Sequence, residues 1–207
     1  SATSCPAVSD FILSSLADSV QGLMLRSVLV IEVAAADKAD SGPRPAKNTE
    51  SKNFTQEALS PALEYARKRG ANIDFVPRTV YDAAIMLCAK APRPGSRGIA
   101  GSAELGDAAF IERAAEASLA LKRGASFLCV FDMGQAARGI SNTETAATEK
   151  IFTFARKVSI CASKRAERYL CPDQPSRADA EAAVRGTLTY RMHFIHESCI
   201  IISFRKE

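Results

Sequence analysis

At 207 residues, 47% of them hydrophobic, the chain carries enough apolar material for one domain of ordinary size or two small packed halves, and wholesale disorder is excluded. A net charge of +4 and a pI near 8.8 favour acidic partners only weakly and do not by themselves indicate nucleic acid. Abundant alanine and the absence of Trp favour helices packed closely through small side chains. The longest apolar run, 23–36, is interrupted by Arg26 and Glu32 and is too short for a bilayer. A start at Ser1 rather than Met fits a chain stripped of a targeting segment.

In chain order, Ser9 or Asp10 offers an N-cap, and Phe11, Ile12, Leu16, Val20 and Leu23 follow at helical spacing. The stretch Ser27-Val-Leu-Val-Ile-Glu-Val33 is β-branched and fits a strand as well. Residues 37–53 are polar, with Gly42, Pro43 and Pro45, and read as an extended arm. A helix is predicted over 55–69, stopped by Gly70, with Arg67, Lys68 and Arg69 favoured in its last turn. Pro77 is placed to open another helix, through Tyr81 and Ile85 to Lys90. Residues 92–106 hold two Pro and four Gly and are loop. Asp107 caps a periodic helix predicted to reach Arg123, before Gly124. Residues 125–133 are short and apolar, either a strand or the start of a helix. A long charged helix over 142–170 is closed by Pro172 and Pro175, and Ser176 or Asp179 opens another to about Tyr190. The Ile-rich end, 199–204, reads as a strand. The expected fold is therefore mainly α, with helical repeats in two loosely related halves, long loops and little β. Residues 1–54 form an N-terminal helix and linker arm, 55–140 the first half and 141–207 the second.

The two halves share an order of features. Tyr65-Ala-Arg-Lys68, Leu87-Cys88, a Pro-containing loop and Asp107-Ala-Ala-Phe-Ile-Glu-Arg113 correspond to Phe154-Ala-Arg-Lys157, Leu170-Cys171, a Pro-containing loop and Asp179-Ala-Glu-Ala-Ala-Val-Arg185. The intervening lengths differ, so this is a duplication of supersecondary units and not a solenoid. The Lys-Arg-Gly-Ala echoes at Lys68 and Lys122 are too far apart for ankyrin repeats and lack that family's Thr-Pro-Leu-His signature.

Few motifs point to catalysis. There is no Gly-x-Ser-x-Gly elbow, and the two histidines, His193 and His196, form an H-x-x-H pair without a zincin glutamate. Gly95, Gly98 and Gly101 have no apolar strand before them and no Gly-Lys-Ser/Thr after, so a phosphate loop is not expected. Basic clusters at 67–69, 122–123 and 156–168 could track phosphates, but the last is interleaved with apolar residues at helical spacing, as in a solvated or protein-docking face. The six cysteines form no CxxC pair, which disfavours zinc or thioredoxin-type redox chemistry. A thioether-linked tetrapyrrole needs a thiol, cations for its propionates and a carboxylate for its pyrrole N–H groups. Cys88 has Asp82 before it and Lys90, Arg93 and Arg97 after; Cys171 has Arg168, Asp173 and Arg177; Cys129 has Asp132 and Arg138. The plain alternative is loop-edge charges near buried thiols.

The segments Leu-Cys88…Gly101-Ser-Ala-Glu-Leu-Gly-Asp-Ala-Ala-Phe-Ile-Glu-Arg113 and Leu-Cys171…Arg177-Ala-Asp-Ala-Glu-Ala-Ala-Val-Arg-Gly-Thr-Leu-Thr-Tyr-Arg191, about half the chain, resemble the repeats of phycoerythrin γ subunits, the bilin-carrying rod linkers of red-algal phycobilisomes. The resemblance implies a non-enzymatic light-harvesting linker on the stromal side of the plastid thylakoid membrane. It implies phycobiliprotein α and β subunits as partners, and phycourobilin or phycoerythrobilin on Cys88 and Cys171, with Cys129 and then Cys161 as weaker sites. The chain is shorter than typical γ subunits, and its two Cys-to-helix loops differ in length. A bilin-free subunit docked on a photosystem or another thylakoid complex, or a basic organellar RNA-associated protein, is the alternative.

Overall fold

The computed structural model describes residues 6–18, 25–35, 54–90, 103–133, 144–169, 187–196 and 199–207. In chain order these are α1 (Pro6–Asp18), β1 (Ser27–Ala35), α2 (Phe54–Lys68), β2 (Asn72–Asp74), β3 (Tyr81–Lys90), α3 (Ala108–Leu119), β4 (Leu121–Asp132), α4 (Glu144–Tyr169), β5 (Leu188–His196) and β6 (Cys199–Lys206). The strands form one six-stranded sheet in the order β2-β1-β3-β4-β6-β5. Neighbours from β2 to β4 are parallel; β6 runs antiparallel between β4 and β5.

The expectation of a mainly helical chain in two related halves is therefore corrected: this is an α/β fold around a mixed sheet. β3 accounts for much of the difference. Ala83-Ala-Ile-Met-Leu-Cys-Ala89 is buried throughout, so it shows neither the helical nor the alternating period, as expected of a central parallel strand covered on both faces. The helix predicted to reach Arg123 ends at Leu119, and its remainder opens β4. There the register with β3 passes from Tyr81↔Leu121 to Ala83↔Ser126. The extra residues loop out at Gly124, whose φ of +82° a Cβ-bearing residue adopts only at a cost. Tyr190, predicted to end a helix, lies in β5.

Alternation along the strands divides the core. Leu29, Ile31, Met86, Cys88, Phe127, Cys129, Phe131, Ile202 and Phe204 face α3 and α4. Val28, Val30, Ile85, Leu87, Leu128, Val130 and Ile201 face α1 and α2. Val8, Ile12 and Leu16 give α1 one buried stripe, and Leu59, Ala62 and Ala66 do the same for α2. On the α3/α4 face, edge-to-face contacts join Phe110 to Phe131 and Phe131 to Phe154, with centroids 5.7 and 5.5 Å apart. Among the described residues the duplication has no structural counterpart: Tyr65-Ala-Arg-Lys68 ends α2, whereas Phe154-Ala-Arg-Lys157 lies inside α4, and Leu170-Cys171 and 179–185 lie outside the described residues. The sheet also draws strands from all three segments expected to be separate units. The arm at 37–53 lies outside the described residues.

Candidate functional site

β1 leads through α2 to β2 on one side of the sheet, and β3 leads through α3 to β4 on the other, with α2 and α3 on opposite faces. The strand order therefore reverses between β1 and β3. Their carboxyl ends finish level, with Ala35 opposite Lys90. In sheets wound both ways from such a point, the two crossovers leave in opposite directions and open a crevice beyond the strand ends, where ligands bind.

The described rim of this crevice is small on one side and charged on the other. Ala34, Ala35 and Ala89 end β1 and β3 with little side chain above the backbone. Lys90 closes β3 and Asp132 closes β4. The Ala103 N–H donates to the Asp132 carbonyl at 3.0 Å, which returns the chain to the end of β4 just before α3 begins. Asp107 is the N-cap residue of α3, and its backbone carbonyl accepts the N–H groups of Phe110 and Ile111 at 3.1 and 3.2 Å. Its side chain makes no capping bond, and Oδ2 is buried without a hydrogen-bond partner among the described residues. A buried acceptor left unmatched costs about 1–3 kcal/mol. The carboxylate stands where the helix dipole favours negative charge. Among the described residues it is an acceptor facing no donor, at the carboxyl edge of the sheet.

Among the described residues, Cys88 and the Asp82 expected to serve it are not brought together. Cys88 and Cys129 lie inside β3 and β4 with no exposed surface. Burial, then the neighbouring Cys129, pushes the Cys88 thiol well above its ordinary value, and burial does the same for Cys129. Neither is a thiolate, and neither has room for a tetrapyrrole. Asp82, expected to serve Cys88, is six residues away along the strand, about 20 Å at ~3.3 Å per residue. It belongs to the opposite edge, where Oδ2 accepts the N–H groups of Arg26 and Ser27 at 2.9 and 3.1 Å and Oδ1 meets Lys122 Nζ at 2.8 Å. Arg93, Arg97, Arg138, Cys171, Asp173 and Arg177 lie outside the described residues. His193 sits on β5, where its ring bonds the Tyr190 hydroxyl, and the described residues contain no cluster suited to a metal. Sequence reasoning read Asp107 only as a cap; its unmatched oxygen has no sequence signal.

No protein-family model matches the sequence, and no curated protein does. The solved structures similar to this chain include the N-methyltransferase NodS from Bradyrhizobium japonicum WM9, at 13% identity and a TM-score of 0.38 over 98% of this chain and 97% of that one. A SAM-dependent methyltransferase of Thermotoga maritima, described as a possible histamine N-methyltransferase, is 13% identical with a TM-score of 0.36, over 97% of this chain and 92% of that one. An O-methyltransferase family protein of Burkholderia thailandensis is 12% identical with a TM-score of 0.34, over 99% of this chain and 56% of that one.

The light-harvesting reading does not stand. It required a mainly helical chain with bilin thiols at loop edges. The chain is an α/β sheet with Cys88 and Cys129 inside it. The phycobilisome resemblance and the bilin cofactor are corrected with it, and the non-enzymatic class, which followed from that resemblance, falls too; neither the bilin-free thylakoid subunit nor the RNA-associated alternative is supported. The plastid location and the phycobiliprotein partners followed only from that resemblance.

Proposed function

We propose that the chain is a SAM-dependent methyltransferase, with the cofactor in the crevice beyond the carboxyl ends of β1 and β3. The observation that carries this reading is the reversal of strand order between these two strands, with Asp107 placed beside it. The chemistry of the rim narrows the ligand. A nucleotide held by its phosphates needs free N–H groups at a helix N-terminus, usually behind a glycine-rich turn. Here the N-terminus of α3 already carries a carboxylate, and the first glycine after β1 is Gly42. SAM has no phosphate; it presents an ammonium, a ribose diol and a positively charged sulfur, all suited to carboxylates.

When bound, SAM supplies an electrophilic methyl group on its sulfonium. The chain's own contribution is to seat and orient it. Asp107 Oδ2 would accept a donor from the cofactor, a partner it does not find among the described residues. The alanines ending β1 and β3 leave the strand-end backbone open to close approach. Lys90 and Asp132 bound the crevice at the ends of β3 and β4.

Calorimetry tests the reading. SAM and S-adenosylhomocysteine should bind, NAD and ATP should not, and Asp107→Ala should weaken SAM by about tenfold, as expected for the loss of a charged hydrogen bond. No heat with SAM, or a preference for NAD or ATP, would overturn it.

A further inference from the structure

The edge of the sheet opposite the crevice gathers cations from segments distant in sequence. Arg67 and Lys68 end α2 there and Arg69 follows. The Asn72 N–H donates to the Arg26 carbonyl at 2.8 Å, which brings Arg26 beside them. Lys122 follows through its pair with Asp82, and Arg205 Nη2 lies 4.0 Å from where a Cβ on Gly124 would stand. The described acids on this edge are engaged: Asp82 with Lys122, Asp74 with the Tyr81 hydroxyl at 2.6 Å, Glu116 with Arg113 at 2.9 Å, and Glu207 with the Thr189 hydroxyl at 3.0 Å.

A groove of about 440 Å³ opens on the same edge, between the loop that follows β2 and the end of α3. Pro77, Val80 and Leu119 give it apolar walls, and Arg78, Arg165 and Glu116 supply its charges. The loop also displays Phe75 and Val76, 58% and 61% exposed, while Val80 is 46% exposed. Large apolar side chains grouped in this way on a charged surface mark an interaction site.

We propose that this face docks an acidic segment of a protein partner, with one apolar side chain of that segment seated in the groove and carboxylates on Arg78 and Arg165. Charge complementarity selects the acidic character, and the apolar walls select a peptide. A nucleic acid strand presents a phosphate at every step and would lie against Glu116 and the negative end of the α3 dipole. A peptide places its carboxylates against the arginines and its anchor against the walls.

Fluorescence anisotropy tests this with a labelled synthetic peptide of Glu and Asp around a central Leu-Phe pair. Two further probes are the same peptide with Ser in place of Leu-Phe, and a single-stranded oligonucleotide of equal charge. The Leu-Phe peptide should bind most tightly and weaken as salt is raised. Val80→Ser combined with Arg78→Glu should lower its affinity by at least about tenfold, as expected for losing an apolar wall of the groove and reversing a rim charge. Both side chains are exposed, so Tm should stay unchanged. Absence of saturable binding, equal binding of the Ser peptide, equal or tighter binding of the oligonucleotide, or an unaffected double variant would each overturn the proposal.

Discussion

Asp82 ties the beginnings of three strands together, since its carboxylate meets the N–H groups of Arg26 and Ser27 and the Lys122 ammonium. Burial acts to raise its pKa, but the bonds from Lys122, Arg26 and Ser27 outweigh it and hold the group below its ordinary 3.8. The stability it contributes is therefore present above pH 3.8 and is lost as pH falls through the lower folded value. Asp82→Ala should cost about 1–3 kcal/mol at neutral pH by urea unfolding, and little once the wild-type carboxylate is protonated. Lys206 shows the opposite balance. Its Nζ is buried, donating to the carbonyls of Ser118 and Leu121 at 2.6 and 2.8 Å. Burial, then Arg123, lowers its pKa from 10.5 to about 8. Between these values the unfolded chain binds more protons than the folded one, so this group makes stability rise with pH. Across that window, unfolding free energy of the wild type should climb relative to Lys206→Met, and a flat difference would refute the assignment.

Among the elements, β3 and β4 carry the sharpest consequence. Their thiols, Cys88 and Cys129, lie on the face covered by α3 and α4 and have no exposed surface. Treatment of the native protein with a thiol reagent should leave both unmodified, while unfolding in guanidinium exposes them. Labelling of either at the rate of a free thiol in the folded state would mean that these strands open readily. Cys88→Ala should cost about 1 kcal/mol, in line with loss of a small buried side chain. The helices were more legible than these strands. The 55–69 prediction matches α2, which ends one residue before Arg69 and is followed by Gly70 at a φ of +82°. The long charged helix predicted over 142–170 matches α4. Both have one polar and one apolar face, and that contrast is written in the residue order.

For the whole molecule, Phe154 is the bridge between layers. From α4 its ring meets Phe131 on β4 and Phe204 on β6, with centroids 5.5 and 5.9 Å away, and it is 2% exposed. Phe154→Ala should cost about 3–5 kcal/mol, because the space it leaves is bounded by a sheet and a helix that cannot both close in. Denaturant unfolding measures this directly, and a loss below about 1 kcal/mol would mean that α4 packs independently of the sheet.

The residue order by itself determined where the chain turns and which segments have a wet face: Gly70 after α2, the cap at Asp107, the amphipathic α2 and α4, and the apolar end that became β6. It predicted a helix through 81–90, where β3 lies, carried the helix after Asp107 into the start of β4, and left 125–133 open between strand and helix. A strand buried on both faces carries no alternation, and an apolar run of that length reads equally well as a buried helix. Pairing decided these segments. Tertiary structure alone also decided the crevice, because that site follows from β1 and β3 lying side by side while their crossovers depart to opposite faces. The same holds for Asp82 and the basic edge, whose partners stand 40 to 56 residues apart in the chain and meet only when parallel strands start together.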